Sequence, residues 1–275
     1  MTIRSLIRPI EATAGAAAAI GPARTDVRLP TEGLPRELLP LVAATNAALD
    51  RLERAFAAQR RFTADAAHQL RTPLAILTAR LEGMGRGEQR TAQDELVAAR
   101  RDAARLNRIV SQLLDVARLE GQPIELDQPV DLCATAVEAV TATAPLAIAN
   151  GVELSLCSPD RPVMVHGASI WLEMAVTNLI ENAIQHAPAG STVEISVTDP
   201  PAVAVSDRGN GIEAAALETI FEPFYRGTDS KPGGAGLGLA IVKAVAAAHG
   251  AEVCAANRPE GGAIFRIAFV GQVPR

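Results

Sequence analysis

Only three cysteines occur in 275 residues, Cys133, Cys157 and Cys254, and they stand far apart without a Cys-x-x-Cys spacing. That excludes a disulfide framework and a spaced zinc site, and a reducing compartment is the simple inference. No apolar run approaches the roughly 20 residues that cross a bilayer; the best N-terminal candidate is the short GAAAAIG stretch. A signal peptide is also missing, because Arg4 and Arg8 are followed by Pro9 and Glu11 rather than by an apolar core. There is no basic excess: the net charge is −5 with a pI near 5.5, which argues against nucleic acid as the main partner. Neither a Gly-Lys-Ser/Thr P-loop nor a strand followed by Gly-x-Gly-x-x-Gly occurs. What is present is 48% hydrophobic residues, ample for two modest buried cores in a chain expected to fold as a soluble protein.

The first half reads as helical. Ser5 to Ile20 is alanine-rich, and Gly21 to Gly33 breaks it with Pro22, Pro30 and two glycines. A second helix is predicted from Pro35, with Leu38, Leu41, Val42, Thr45, Ala48, Leu49, Leu52 and Phe56 recurring at three- and four-residue steps. It runs into FTADAAHQLRTPL, Phe62 to Leu74, where Pro73 cannot donate to the carbonyl of Gln69 and should kink the helix one turn beyond His68. Gly83, Gly85 and Gly87 mark a turn, after which Glu88 to Leu119 is amphipathic with Leu96, Ala99, Ala103, Leu106, Val110, Leu113 and Ala117 on one side. A lone hairpin cannot cover both of its apolar stripes, so a four-helix bundle made with a second copy is expected.

Gly121 to Pro129 reads as a linker, and the pattern then changes. Short β-branched runs at Val152 to Cys157, Val163 to Val165, Thr192 to Thr198, Val203 to Ser206, Ala251 to Ala255 and Ala263 to Val270 alternate with helical stretches. One of these helices, Ala168 to Ala187, has an apolar face of Trp171, Leu172, Ala175, Val176, Leu179, Ala183 and Ile184. Its polar side carries Asn178, Glu181, Asn182 and Gln185 at i, i+3, i+4 and i+7, which by itself is a wet face. Asp207 to Ile212 (DRGNGI) follows a strand, with glycines that let backbone approach a ligand. Gly233 to Leu239 (GGAGLGL) opens a helix from Ala240 to Ala248, so unpaired N–H groups and the positive end of its dipole meet at a site suited to phosphate.

The Phe62 to Leu74 run resembles the H-box of bacterial sensor histidine kinases of the HisKA type, and NLIENA, DRGNGI, FEPFYRG and GGAGLGLAIV resemble, in order, the N, G1, F and G2 boxes of the GHKL ATP-binding fold. The helix, connector and helix before the H-box resemble a HAMP relay module, with Pro9 and Glu37 near its proline and acidic positions; a plain helical hairpin extending the dimer is the alternative. The resemblance implies an α+β multidomain chain. Its N-terminal helical hairpins, HAMP-like over 1–57 and a dimeric four-helix bundle with histidine phosphotransfer over 58–120, lead through a linker at 121–129 to an α/β sandwich of the GHKL (Bergerat) ATPase type over 130–275.

Carried over residue by residue, the resemblance implies ATP and Mg²⁺ as cofactors and His68 as phosphoacceptor. Asn182 is the magnesium ligand with Asn178 beside it; Asp207 accepts the adenine amino proton, and Gly209 and Gly211 let the chain pass close to the base. Gly236 and Gly238 hold the phosphates at the helix start, with Gly234, Leu237 and Leu239 beside them at the nucleotide, and Phe221, Phe224, Tyr225 and Arg226 belong to a lid in which Arg226 clamps the γ-phosphate; simple loop anchoring is the alternative for the aromatics, equally so for Phe221. Partners are a second copy and a response-regulator receiver domain, and the location is cytoplasmic, with relatives anchored by upstream transmembrane helices although this chain shows none. Two positions depart from the pattern. Gln69 replaces the acid that often follows the phosphoacceptor; it can orient an imidazole but not accept its proton, a task that helix geometry opens to Asp65, one turn earlier. Gln185 stands where many relatives have a basic residue, shifting the load to Arg226 and Lys231. Sensors of the tricarboxylate-transport and quorum-sensing type carry a similar Ala-Ala-His-Gln-Leu-Arg-Thr-Pro-Leu run. Thr72 lies one turn after His68, where the family places a phosphatase function. His166, His186 and His249 lack metal-ligand spacing and read as structural. Two rival readings stay open, a GHKL-type ATPase used as a conformational clamp and a non-catalytic ATP-binding dimeric adaptor.

Overall fold

Alanine, leucine and arginine, all strong helix formers, dominate the chain before residue 121, and two long helices stand there among the described residues. The computed structural model describes residues 28–31, 34–84, 92–121, 126–227 and 235–269. The chain divides into two compact units, 1–68 and 69–275, the division falling inside the first helix. That helix, α1 (Leu39–Met84), is 46 residues long and carries Pro73 in its interior. Pro73 is buried and the helix does not end there. The turn that opens α1 starts at Pro35, whose carbonyl accepts from Leu38 N–H at 3.0 Å. Of the turn expected at Gly83, Gly85 and Gly87, Gly83 falls inside α1, whereas Gly85, Gly87 and the expected helix over 5–20 lie outside the described residues.

In the first unit an extended segment is tied to α1 by polar contacts. The Asn46 amide brackets the backbone of Leu29, accepting from its N–H at 2.9 Å and donating to its carbonyl at 3.0 Å. Arg28 pairs with Asp50 at 2.7 Å and also with Glu53, and both carboxylates hold its guanidinium pKa above the usual value. Val42 and Leu49, seven residues apart, are the buried members of the expected stripe, whereas Leu41 and Leu52 are exposed.

In the second unit α2 (Ala92–Gly121) joins α1 through an ion pair, Arg80 Nε to Asp102 Oδ2 at 2.8 Å. Its buried face matches the expected one only in part: Ala99 of the expected stripe is buried, but so are Ile109 and Val116 outside it, while Leu96 and Val110 are exposed. The reason is a neighbour that periodicity cannot reveal, since α2 packs against a helix far along the chain, α5 (Gly238–Ala248).

The sandwich begins earlier than its β-branched pattern. Strand β1 (Gln128–Asp131) starts inside the stretch read as linker and pairs antiparallel with β3 (Met164–Gly167). Between them lie α3 (Leu132–Asn150) and β2 (Glu153–Cys157); α4 (Ser169–His186), β4 (Thr192–Thr198) and β5 (Ala202–Ser206) follow. After α5 the chain closes with the hairpin of β6 (Glu252–Asn257) and β7 (Ala263–Ala268). The main sheet has the order β2-β4-β5-β7-β6, parallel only between β2 and β4. Val193, Ile195 and Val197 alternate inward on β4, and β5 is buried along its length.

The helix α3 corrects one expectation. With 19 residues and a mean hydropathy of 1.6 over its best 18-residue window it is, among the described residues, a helix long and apolar enough to cross a membrane by length and composition. Its placement is that of a core helix: Leu132, Thr135, Ala136, Ala139, Thr143 and Ala147 form a buried stripe that packs on α4 and β2. Asp131 caps it, accepting from Cys133 N–H at 2.9 Å and from Val163 N–H at 3.1 Å. All three cysteines are free, and burial pushes the Cys133 thiol pKa up.

Candidate functional site

The helix α4 sets the first wall of a cavity because its two faces differ in chemistry. Leu172, Ala175, Val176, Leu179, Ile180, Ala183 and Ile184 are buried, which orients the opposite face. That face puts Asn178, Glu181, Asn182 and Gln185 on a cavity of about 490 Å³, within the range of ligand pockets. Asn178 donates through Nδ2 to the Met174 carbonyl at 2.9 Å, which directs its amide oxygen away from its own helix. A Cβ on Gly238 would lie 2.9 Å from that oxygen, so glycine at the first position of α5 lets the helix start come close to α4.

Asp207 supplies the second wall. It is 2% exposed and its Oδ1 accepts from Gly209 N–H at 2.8 Å and from Ala263 N–H at 3.3 Å. Both bonds use one oxygen, which leaves Oδ2 for a donor in the cavity. Gly209 does not line the space; a Cβ there would meet the His186 carbonyl at 2.6 Å, so its role is close packing between loop and α4. Gly211 lines it, and so do Asn210 and Ile212.

The third wall is the segment before α5. Phe224 N–H donates to the Gly236 carbonyl at 2.8 Å, tying these two backbone positions together. Gly236 needs its φ of +73°, and a Cβ there would lie 2.7 Å from the Tyr225 carbonyl. Phe224 itself has φ +64°, a costly value for a bulky residue that the pairing with Gly236 holds in place. Tyr225, Arg226, Gly236, Leu237, Gly238 and Leu239 line the cavity and Phe224 does not. Phe221, for which loop anchoring is the alternative to a lid, is a buried anchor, packed edge-to-face on Phe265 with centroids 6.3 Å apart. Gly234 and Lys231 lie outside the described residues.

The remaining expectations divide. His249 is structural: 1% exposed, its Nε2 accepts from Ala168 N–H at 3.0 Å while Nδ1 sits 2.8 Å from the Val245 carbonyl. That pair of contacts requires the neutral ring, and burial lowers its pKa. His186 was also read as structural, yet it lines the cavity at the end of α4. Gln112 of α2 lines it too and carried no sequence signal, because it comes from a helix recognised only by its apolar period. His68 is exposed on α1, with Asp65 and Thr72 exposed and Gln69 half-buried along the same helix. Among the described residues no three His, Cys, Asp or Glu side chains converge to hold a metal, so a cation here needs oxygens from a ligand as well. That is how magnesium is held beside phosphates, with few protein ligands, and the amide oxygens of the α4 face fit it.

Residues 58–122 match the family described as His Kinase A (phospho-acceptor) domain. Residues 167–272 match Histidine kinase-, DNA gyrase B-, and HSP90-like ATPase, which makes the second domain an ATP-binding one. The sensor protein kinase PmrB of Pseudomonas aeruginosa is 38% identical over 79% of this chain and 46% of its own length. The sensor protein QseC of Salmonella typhi is 32% identical over 93% and 57%; the chain thus spans about half the length of the curated relatives it matches. Histidine kinase ThkA, crystallised with response regulator protein TrrA, shares the fold with a TM-score of 0.65 at 17% identity, over 79% of this chain and 63% of its own. With the phosphoacceptor domain first, the ATPase domain second and sensor proteins aligned across both, the chain belongs to the two-component sensor histidine kinases.

Proposed function

We propose that the chain phosphorylates His68 with the γ-phosphoryl group of ATP and then passes that group to an aspartate of a response-regulator receiver domain. The observation that carries this reading is the convergence of amide oxygens from α4, the buried Asp207 carboxylate and the N-terminus of α5 on one cavity, in a chain with an exposed histidine on its phosphoacceptor helix. A neutral ring nitrogen of His68 attacks the γ-phosphorus, the bond to the β,γ-bridging oxygen breaks, and ADP departs. The ring proton then has to leave; Gln69 orients the imidazole but cannot take it, and Asp65 on the preceding turn can. Asp207 accepts the adenine amino group through Oδ2, Arg226 pairs with the γ-phosphate, and Thr72 positions water for hydrolysis of the partner's acyl phosphate. Asn182, with Asn178 beside it, would hold Mg²⁺, which neutralises phosphate charge when bound.

ThkA's complex with a response regulator supports the receiver domain as partner. Exposed Leu74, Leu81, Leu96, Val110 and Leu114 on α1 and α2 support a homodimer. Residues 1–57 act as a HAMP-like relay, and the whole works in the cytoplasm, where ATP is available.

Incubation with γ-labelled ATP tests the reading. The expected result is acid-labile, alkali-stable label on the protein that His68→Ala abolishes while nucleotide binding persists. Free phosphate without labelled protein would instead identify a clamp-type ATPase, and neither product an adaptor.

A further inference from the structure

The loop from Asp207 to Ile212 supplies a wall of the nucleotide cavity through Asp207, Asn210, Gly211 and Ile212, yet two of its six residues are glycines. A loop so free loses much entropy when ordered, and unless the fold orders it beforehand the cost falls on ligand binding. Both of its ends are tied to one element, the β6–β7 hairpin. At the first end Asp207 N–H donates to the Ala263 carbonyl at 2.9 Å and Arg258 reaches the Asp207 carbonyl at 3.4 Å. At the second end one side chain makes the tie. Asn257 accepts from Ile212 N–H through Oδ1 at 2.7 Å and donates through Nδ2 to the Ile212 carbonyl at 2.7 Å. Its fit extends to Gly211, where a Cβ would come within 2.8 Å of Asn257 Oδ1.

We infer that Asn257 is a positioning residue for nucleotide binding: it touches no part of the cavity but holds the far end of the base-recognition loop in its binding geometry. The inference rests on reading the cavity as the ATP site. Asn257 is exposed and ends an edge strand, so no buried core depends on it. An exposed side chain with both amide groups committed to one backbone unit fixes where that unit lies, and Ile212 is the unit on the cavity wall. Aspartate at this position keeps the acceptor for Ile212 N–H but sets a carboxylate against the Ile212 carbonyl, so the bracket is cut to one bond.

The test uses the full chain and three readouts: Kd for a fluorescent ATP analogue with Mg²⁺, KM and kcat for autophosphorylation, and the thermal midpoint. Asn257→Ala is expected to raise Kd and KM about tenfold, equivalent to about 1.4 kcal/mol, with kcat within about twofold and the midpoint nearly unchanged. Asn257→Asp should weaken binding as well, because it retains one of the two bonds. Amide hydrogen exchange at residues 209–212 should quicken in both variants. Unchanged Kd in Asn257→Ala overturns the inference, and so does a fall in kcat and midpoint together, which would mark a merely structural residue. Failure of the native chain to bind the analogue at all would sink the reading of the cavity itself, a result distinct from equal binding by native and variant chains.

Discussion

The bundle helices and the sandwich treat their large apolar side chains in opposite ways. On α1 and α2, Leu74, Leu81 and Leu114 are 54%, 56% and 53% exposed, whereas Leu179, Ile180 and Ile184 on α4 are fully covered. Both segments carry helical periodicity, so the difference is not in pattern but in what the chain itself can bring to each face. The sheet offers α4 a surface, and α5 covers a stripe of α2. A second stripe on the bundle helices stays open, as expected of an element completed by another molecule.

That contrast can be broken most severely within the sandwich. A Cβ on Gly262 would lie 2.1 Å from the Asp207 carbonyl oxygen, and its φ is +89°. Gly262→Ala is therefore expected to cost about 3 kcal/mol or more and to remove nucleotide binding, checked by chemical denaturation and an ATP-analogue titration. A change on the open stripe should do the reverse. Leu114→Glu should leave ATP binding intact and shift the chain toward monomer in sedimentation, with about 2 kcal/mol lost for each leucine that the interface covers.

The smallest effect sharpens the comparison through pH. Burial lowers the His249 pKa, and the ring accepts the Ala168 N–H only when neutral. The unfolded chain thus binds the proton more readily, so this contribution is complete above about pH 6.5 and declines as pH falls from there through the folded value. Unfolding followed at pH 7.5 and 5.5 should show a weaker sandwich at the lower pH, with the difference reduced in His249→Gln.

Much of the candidate site's framework is legible because its residues cluster in short ordered runs: α4 spans almost the predicted stretch, and β4 matches its β-branched run from end to end. The misreadings have physical causes. Gln128 and Pro129 looked like linker because a four-residue strand is too short to show alternation, and its partner β3 lies a whole helix away. Between a lid and a loop anchor the sequence leaves Phe221 open, because Phe265, whose ring meets it, lies 44 positions on. The buried face of α2 departs from the expected stripe because α5, far along the chain, also packs on this helix.

Local composition by itself determined the helices, most of the strands, the exposed histidine ahead of a helical proline, and the identity of the polar and glycine-rich runs, since each depends on neighbours within a turn or two. Only the tertiary structure decided which oxygen of Asp207 is spent on the backbone, which histidine reaches the cavity and which is sealed neutral in the core, and that Asn257 brackets Ile212. The contacts that settle Asp207, His249 and Asn257 bring together residues 45 or more positions apart at 2.7 to 3.3 Å, and no period along the chain records such a meeting.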